Sequence, residues 1–116
     1  MDRIVIACAL ALGLGACGSG VAPRAAQTET LAAVRSAVGA GAAESPEAAY
    51  HLELAQNGVA HAENQIREGD MQEAELTLQR AKADAEVALA LAREARAQTE
   101  AERSRARVHQ IRSGGL

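Results

Sequence analysis

Hydrophobic positions along this chain fall into two kinds of pattern. Ile4 to Leu14, IVIACALALGL, is an unbroken apolar run of eleven residues. Further on, apolar positions recur every three or four residues. Leu52, Ala55, Val59, Ala62 and Ile66 form one set, and Met71, Ala74, Leu78, Ala81, Ala85, Ala88, Ala92 and Ala95 form the next. Polar Thr99 and Glu102 then take the following two positions. That spacing puts the apolar side chains on one narrow face of a helix and suits a paired helix seam. It predicts one helix running to about Glu68 and a second from Met71 to Arg112, which would be about 63 Å long.

The residues between these runs set the topology. Ser45-Pro46-Glu47 offers an N-cap serine, a proline at the first helical position and an acid facing the positive helix end. Gly69 closes that helix, and Asp70-Met71-Gln72-Glu73 has the form of a capping box. One glycine and one cap leave almost no loop, so the two helices should be antiparallel neighbours. A shorter helix is expected to precede them, N-capped at Thr28 or Thr30, with Leu31, Val34 and Val38 on one side and a stop at Gly39-Ala40-Gly41. Leu76, Val87, Leu89 and Leu91 lie off the seam and need a second partner, for which this first helix is the candidate. The expected fold is all-α: an antiparallel helical hairpin or three-helix bundle with a long C-terminal helix. Its last third projects beyond the hairpin unless another molecule covers it.

Composition narrows the core. Of 116 residues, 29 are alanine, and Tyr50 is the single aromatic. A fold built on a large aromatic core, or a deep aromatic-lined pocket, is excluded, and the alanine content favours helix. Tyr50 is expected to be the one aromatic packing point. The net charge of −3 excludes a strongly cationic nucleic-acid binder. Charge is nevertheless polarised. Glu44 to Glu86 holds ten acids against Arg67, Arg80 and Lys82, a net of −7, whereas from Arg96 onward five arginines face Glu100 and Glu102, a net of +3.

The leading apolar run is too short to span a bilayer and has the length of a secretory signal core. It ends in Leu14-Gly15-Ala16-Cys17, followed by Gly18-Ser19-Gly20. This string resembles the lipobox of bacterial lipoproteins, in which a leucine and two small residues precede a cysteine that is lipidated after cleavage. The resemblance implies a signal peptide at 1–16 and lipid attachment at Cys17. It also implies a lipoprotein of the cell envelope, and Gly18 resembles the residue found in lipoproteins sent to the outer membrane. An ordinary secreted protein, cut after Ala16 with Cys17 unmodified, is the alternative. Residues 17–27 then read as a flexible tether, 28–112 as the alanine-rich helical domain and 113–116 as a frayed end. Cys8 departs with the signal, so no disulfide is expected.

A longer resemblance lies in the helical part. Ser45-Pro46-Glu47, Leu52, Ala55, Gly69-Asp70-Met71-Gln72-Glu73-Ala74, Leu78, Ala81, Asp84-Ala85 and Leu91-Ala92 form a string over about Leu31 to Arg96. It resembles the bacterial domain of unknown function 4398 family, an alanine-rich helical module found on lipoproteins and ahead of OmpA-type peptidoglycan-binding domains. No such domain is read in this sequence, so peptidoglycan contact by that route is not carried over. The family offers no catalytic residue to transfer. Gly69-Asp70 with Ala74, Leu78 and Ala81 also resembles the helix opening of a tetratricopeptide repeat, but no second copy follows at the required period.

Little in the chain points to catalysis. His51, His61 and His109 lack the spacing of a metal site and read as surface residues. No serine sits in a nucleophile elbow and no glycine loop cradles phosphate, so neither catalytic residues, cofactor nor metal are expected. Arg103, Arg105, Arg107 and Arg112 are the candidate contact residues, towards an acidic partner, peptidoglycan carboxylates or anionic lipid. The competing explanation is a favourable interaction of cations with the negative end of the helix dipole. Two roles fit: a structural or protein-interaction element in the periplasm, with self-association or a partner helix, or a lipid-anchored accessory subunit of an envelope enzyme or transport complex.

Overall fold

The computed structural model describes residues 21–115. Among them the chain forms α1 (Arg24–Gly39), a 3-10 turn (Ala42–Glu44), α2 (Pro46–Glu68) and α3 (Met71–Gly114). The all-α expectation and the long C-terminal helix both hold. The third helix has 44 residues and is therefore about 66 Å long. It packs against both α2 and α1, which meet each other only slightly, so α3 is the spine.

The junctions follow from glycine and proline. Pro46 opens α2 at its first turn, where its missing N–H costs nothing, and Ser45 has the extended backbone of an N-cap. Gly69 ends α2 with φ +90°, where a Cβ would be strained. There the Asp70 N–H donates to the Gln65 carbonyl at 2.8 Å and the Gly69 N–H donates to Ile66 at 3.1 Å, the paired bonds of a Schellman end. Neither Ser45 nor Asp70 makes a side-chain cap hydrogen bond, so the capping box at Asp70 to Glu73 is not formed. The Schellman turn and proline place these helix ends without it.

The predicted α2–α3 seam is the core. Ala48, Leu52, Ala55 and Ala62 of α2 are buried, as are Ala74, Leu78, Ala81, Ala85, Ala88 and Ala92 of α3. One cluster joins Leu52, Ala88 and Ala92 to Ala37 and Ala42, and the other joins Ala62, Ala74 and Leu78 with Ile66 against them. Between them the helices come close at Gly58: a Cβ there would sit 2.8 Å from the Ala81 Cβ.

The first helix departs from expectation at both its start and its face. It begins at Arg24, within the span read as tether, and not at Thr28 or Thr30. Thr30 is buried in the seventh position of the helix, its hydroxyl shared between the Ala26 carbonyl at 2.7 Å and the Leu78 carbonyl of α3 at 3.0 Å. The inward face is Ala26, Thr30, Ala33 and Ala37, while Leu31 and Val38 are exposed. Small residues face α3 because the backbones are too close for a leucine between them. Val34, Leu89 and Leu91 pack against the first cluster, so α1 covers part of what the seam left open; Leu76 and Val87 stay exposed. Tyr50 is also outside, 60% exposed, with its ring edge-on to His51. It lies two positions from both Ala48 and Leu52, about 200° round the helix from each.

Two polar ties fix the helices laterally. His51 Nδ1 lies 3.2 Å from an Asp84 oxygen across α2 and α3, and the Lys82 ammonium donates to Glu29 of α1 at 2.9 Å. That hydrogen bond, with the charge of Glu29 and more weakly of Glu86, holds Lys82 above its ordinary 10.5 against a small opposing effect of burial.

Two outcomes follow. Gly58→Ala should lower stability by about 1–2 kcal/mol in a thermal melt, because overpacking outweighs the roughly 1 kcal/mol gain in helix propensity. Adding Ala81→Gly, which removes the opposing Cβ, should relieve the clash, so the pair should be clearly non-additive. A raised lysine value means that the Lys82–Glu29 tie is present at neutral pH and is lost as pH climbs through it. Any melting-temperature difference between wild type and Lys82→Met should therefore be level near neutrality and shrink above pH 10.5.

Candidate functional site: the projecting end of helix three

Packing along α3 stops where the seam runs out. Ala95 is half-buried and every residue from Arg96 to Gly115 is exposed. Thr99 and Glu102, at the next seam positions, cannot enter an alanine-lined interface without losing hydration. The helix nevertheless continues to Gly114, past the Arg112 limit expected, and its last turns contact nothing else among the described residues.

A shallow cleft of about 320 Å³ marks the point of departure. The turn residues Gly41, Glu44 and Ser45 form one wall, and Arg96, Glu100 and Arg103 rise from α3 on the other. Gly41 makes the wall possible: its φ is +83°, and the Glu44 carboxylate folds to within 3.3 Å of where its Cβ would be. The lining alternates in sign, and Thr99 donates to its own Ala95 carbonyl at 3.0 Å. The cleft can seat a polar group but holds no paired nucleophile and base.

The four candidate arginines do not share one face. Arg105 and Arg112 are seven residues apart and lie on one side, while Arg103 and Arg107 lie on another. Between these two sides run Val108 and Ile111, 47% and 68% exposed. None of the four arginines joins an ion pair among the described residues. Only Arg112 falls in the last turn, and the dipole effect fades within one turn. The dipole explanation therefore covers Arg112 and leaves Arg103, Arg105 and Arg107 without a role in the fold.

Sequence reading missed the apolar strip between the arginines, because the seam residues alone were followed beyond Ala95. The histidines are dispersed: His51 meets Asp84, whereas His61 and His109 are exposed. Among the described residues no group of three or more metal-ligating side chains comes together. No helix there is long and apolar enough to cross a membrane. Residues 1–16 and the lipid-attachment candidate Cys17 lie outside the described residues. Comparison with family models, curated proteins and solved structures finds no match to this chain.

Replacing Arg103, Arg105, Arg107 and Arg112 together by glutamate should leave the bundle intact. Because all four are exposed and unpaired, the melting transition of α1–α3 should move by no more than about 0.5 kcal/mol per site, and helical content by circular dichroism should fall only at the projecting end.

Proposed function

We propose that this chain is a lipid-anchored helical spacer of the bacterial outer membrane, facing the periplasm, that presents the free end of α3 to another protein. The observation that carries the interaction role is the projecting helix itself. Residues 96–114, about 29 Å of helix, run on past the end of the seam with every residue exposed, and their outer turns carry an apolar strip flanked by arginines. Such a strip has no function in folding the rest of the chain. Anchoring rests on Leu14-Gly15-Ala16-Cys17 after an eleven-residue apolar run. Several buried acyl chains, each methylene contributing about 0.8 kcal/mol, hold a protein on a membrane where one chain does not.

The role is non-enzymatic in this reading: the cleft beside Glu44 is open and lacks paired catalytic groups, and the core is too close-packed for a substrate cavity. The likeness to the domain of unknown function 4398 family agrees with an alanine-rich lipoprotein module and rests on the quoted residues alone. Membership of that family is part of the proposal. An accessory subunit of an envelope enzyme or transport complex would use the same projecting end and would be recovered with one stoichiometric enzyme partner.

Cells expressing the chain with radiolabelled palmitate test the anchor. The wild type should carry label and sediment with the membrane fraction, and Cys17→Ser should lose both. A Cys17→Ser chain that keeps label and membrane association would sink the anchor. Cross-linking in cells from positions 99–112 should then trap a protein adduct that the arginine-to-glutamate variant loses; unchanged adducts would remove the four arginines from the contact.

A further inference from the structure

Along α3 a second apolar row runs round the helix from the seam. Leu76, Val87, Ala97, Ala101, Val108 and Ile111 fall on one continuous heptad track, whose steps alternate between four and three once Ala83, Ala90 and the polar positions Arg80, Glu94 and Ser104 are included. The seam residues Leu78, Ala85 and Ala92 sit on the side of the helix turned away from it. Every residue of the track is exposed: Leu76 by 46%, Val87 by 41%, Val108 by 47% and Ile111 by 68%. Arg80, Glu94 and Ser104 are its polar interruptions. A heptad track sustained over five repeats is the pattern of a two-helix seam, and α1 and α2 already occupy the other sides of α3.

We propose that this track is where a second copy of the chain docks, α3 against α3 and antiparallel. Charge selects both the occupant and the direction. The tail from Arg96 onward carries +3, while residues 72–88 carry Glu73, Glu75, Asp84 and Glu86 against Arg80 and Lys82. Antiparallel pairing lays each tail along the acidic stretch of the other copy; parallel pairing would set the two basic tails side by side. An antiparallel register centred near residue 92 brings core positions together. It places Val108 beside Leu76 of the second copy, Ala101 beside Ala83 and Ala97 beside Val87. The strip from Leu76 to Ile111 is about 54 Å long and about 10 Å wide, so roughly 1,100 Å² is buried in total, near the lower limit for a specific interface. The dimer is accordingly weak and reversible.

This inference rests on the interaction role proposed above but not on the anchor. Sedimentation of the full chain in mild non-ionic detergent, from about 5 to about 200 µM, reads it directly. A monomer–dimer equilibrium in the micromolar range is expected, weakened by raised salt as the charges are screened. Val108→Glu with Ile111→Glu, both on the projecting helix, should weaken it about tenfold or more while leaving the melting of the bundle unchanged. A photo-cross-linking residue at Ala97 should attach near Val87 of the second copy. A chain that is monomeric throughout, a dimer indifferent to the double substitution, or attachment of position 97 to position 97 would each overturn the proposal. A dimer whose Cys17 takes no lipid would overturn the anchor alone, and a lipidated monomer the dimer alone.

Discussion

Everything in this bundle depends on how closely α2 and α3 approach at Gly58 and Ala81. At a separation where one added methyl would sit 2.8 Å from another, only small side chains fit around that crossing, and larger ones such as Leu52 and Leu78 enter the seam only away from it. Alanine buries little surface per residue, so the hydrophobic contribution of each position is slight. What remains is dispersion between backbones and methyl groups at near-contact distance, small per atom pair and summed over six buried alanine and leucine positions of α3 alone. Length therefore substitutes for bulk. A short helix pair of this composition would lack the summed contact.

Close packing of nearly identical methyl groups has a second consequence. Alanine repeats alone would leave several similar registers, but Gly58 singles one out, because shifting α2 by a turn would bring the methyl group of Ala55 or Ala62 towards the place where Gly58 faces Ala81. The polar contacts reinforce that register. Thr30 reaches the Leu78 carbonyl, Lys82 reaches Glu29, and His51 meets Asp84. Of these, the Thr30 contact is the most demanding, since its hydroxyl is buried and a slip of α1 would leave it without the cross-helix acceptor. The larger residues Leu52, Leu78 and Ile66 act in the same direction, as each needs a matching gap in the facing helix.

Much of this was legible in the sequence because periodicity and helix stops are local signals. The seam from Met71 to Ala95, the Pro46 start and the Gly69 end are fixed by neighbours within a turn or two, and they fall where spacing put them. The errors have a common cause. Thr30 reads locally as a cap, and only the distant Leu78 carbonyl makes it a core residue. Leu31 and Val38 read as the buried side of α1 because they are large, yet the inward side holds Ala33 and Ala37, and of the three larger residues only Val34 packs against the core. Tyr50 reads as a packing point by its aromatic character, although its position is off the seam. In each case residue size or type suggested one environment and the placement of the helices decided another. Gly58 went unnoticed for the same reason, since a mid-helix glycine looks like a weakness until the opposing Ala81 is known. The strip flanked by arginines was missed differently: its residues are scattered among charges, and only the unbroken helix beyond Ala95 joins them.

The same distance constraint explains why this chain wears its bulky apolar residues outside. In an ordinary bundle leucine, valine and isoleucine fill the interior and alanine faces outward. Here alanines occupy most of the interior, with Leu52 and Leu78 among them, and Leu76, Val87, Val108 and Ile111 are left on the free side of α3. Their exclusion from the core follows from geometry, but their alignment does not. Side chains rejected at random would scatter round the helix, and placing them on one heptad track that continues past Ala95, where no intramolecular core remains, needs a separate cause. Beyond that point the helix leaves the core and must hold a nineteen-residue extension, residues 96–114, largely by backbone hydrogen bonds and the helix propensity of its arginine, glutamate, glutamine and alanine residues. An apolar row on such an extension is a cost in solubility unless another surface covers it. The physical logic of the fold thus separates two tasks along one helix: the side facing α2 and α1 is made small so that the chain can fold, and the opposite side keeps the larger apolar groups for contact between molecules.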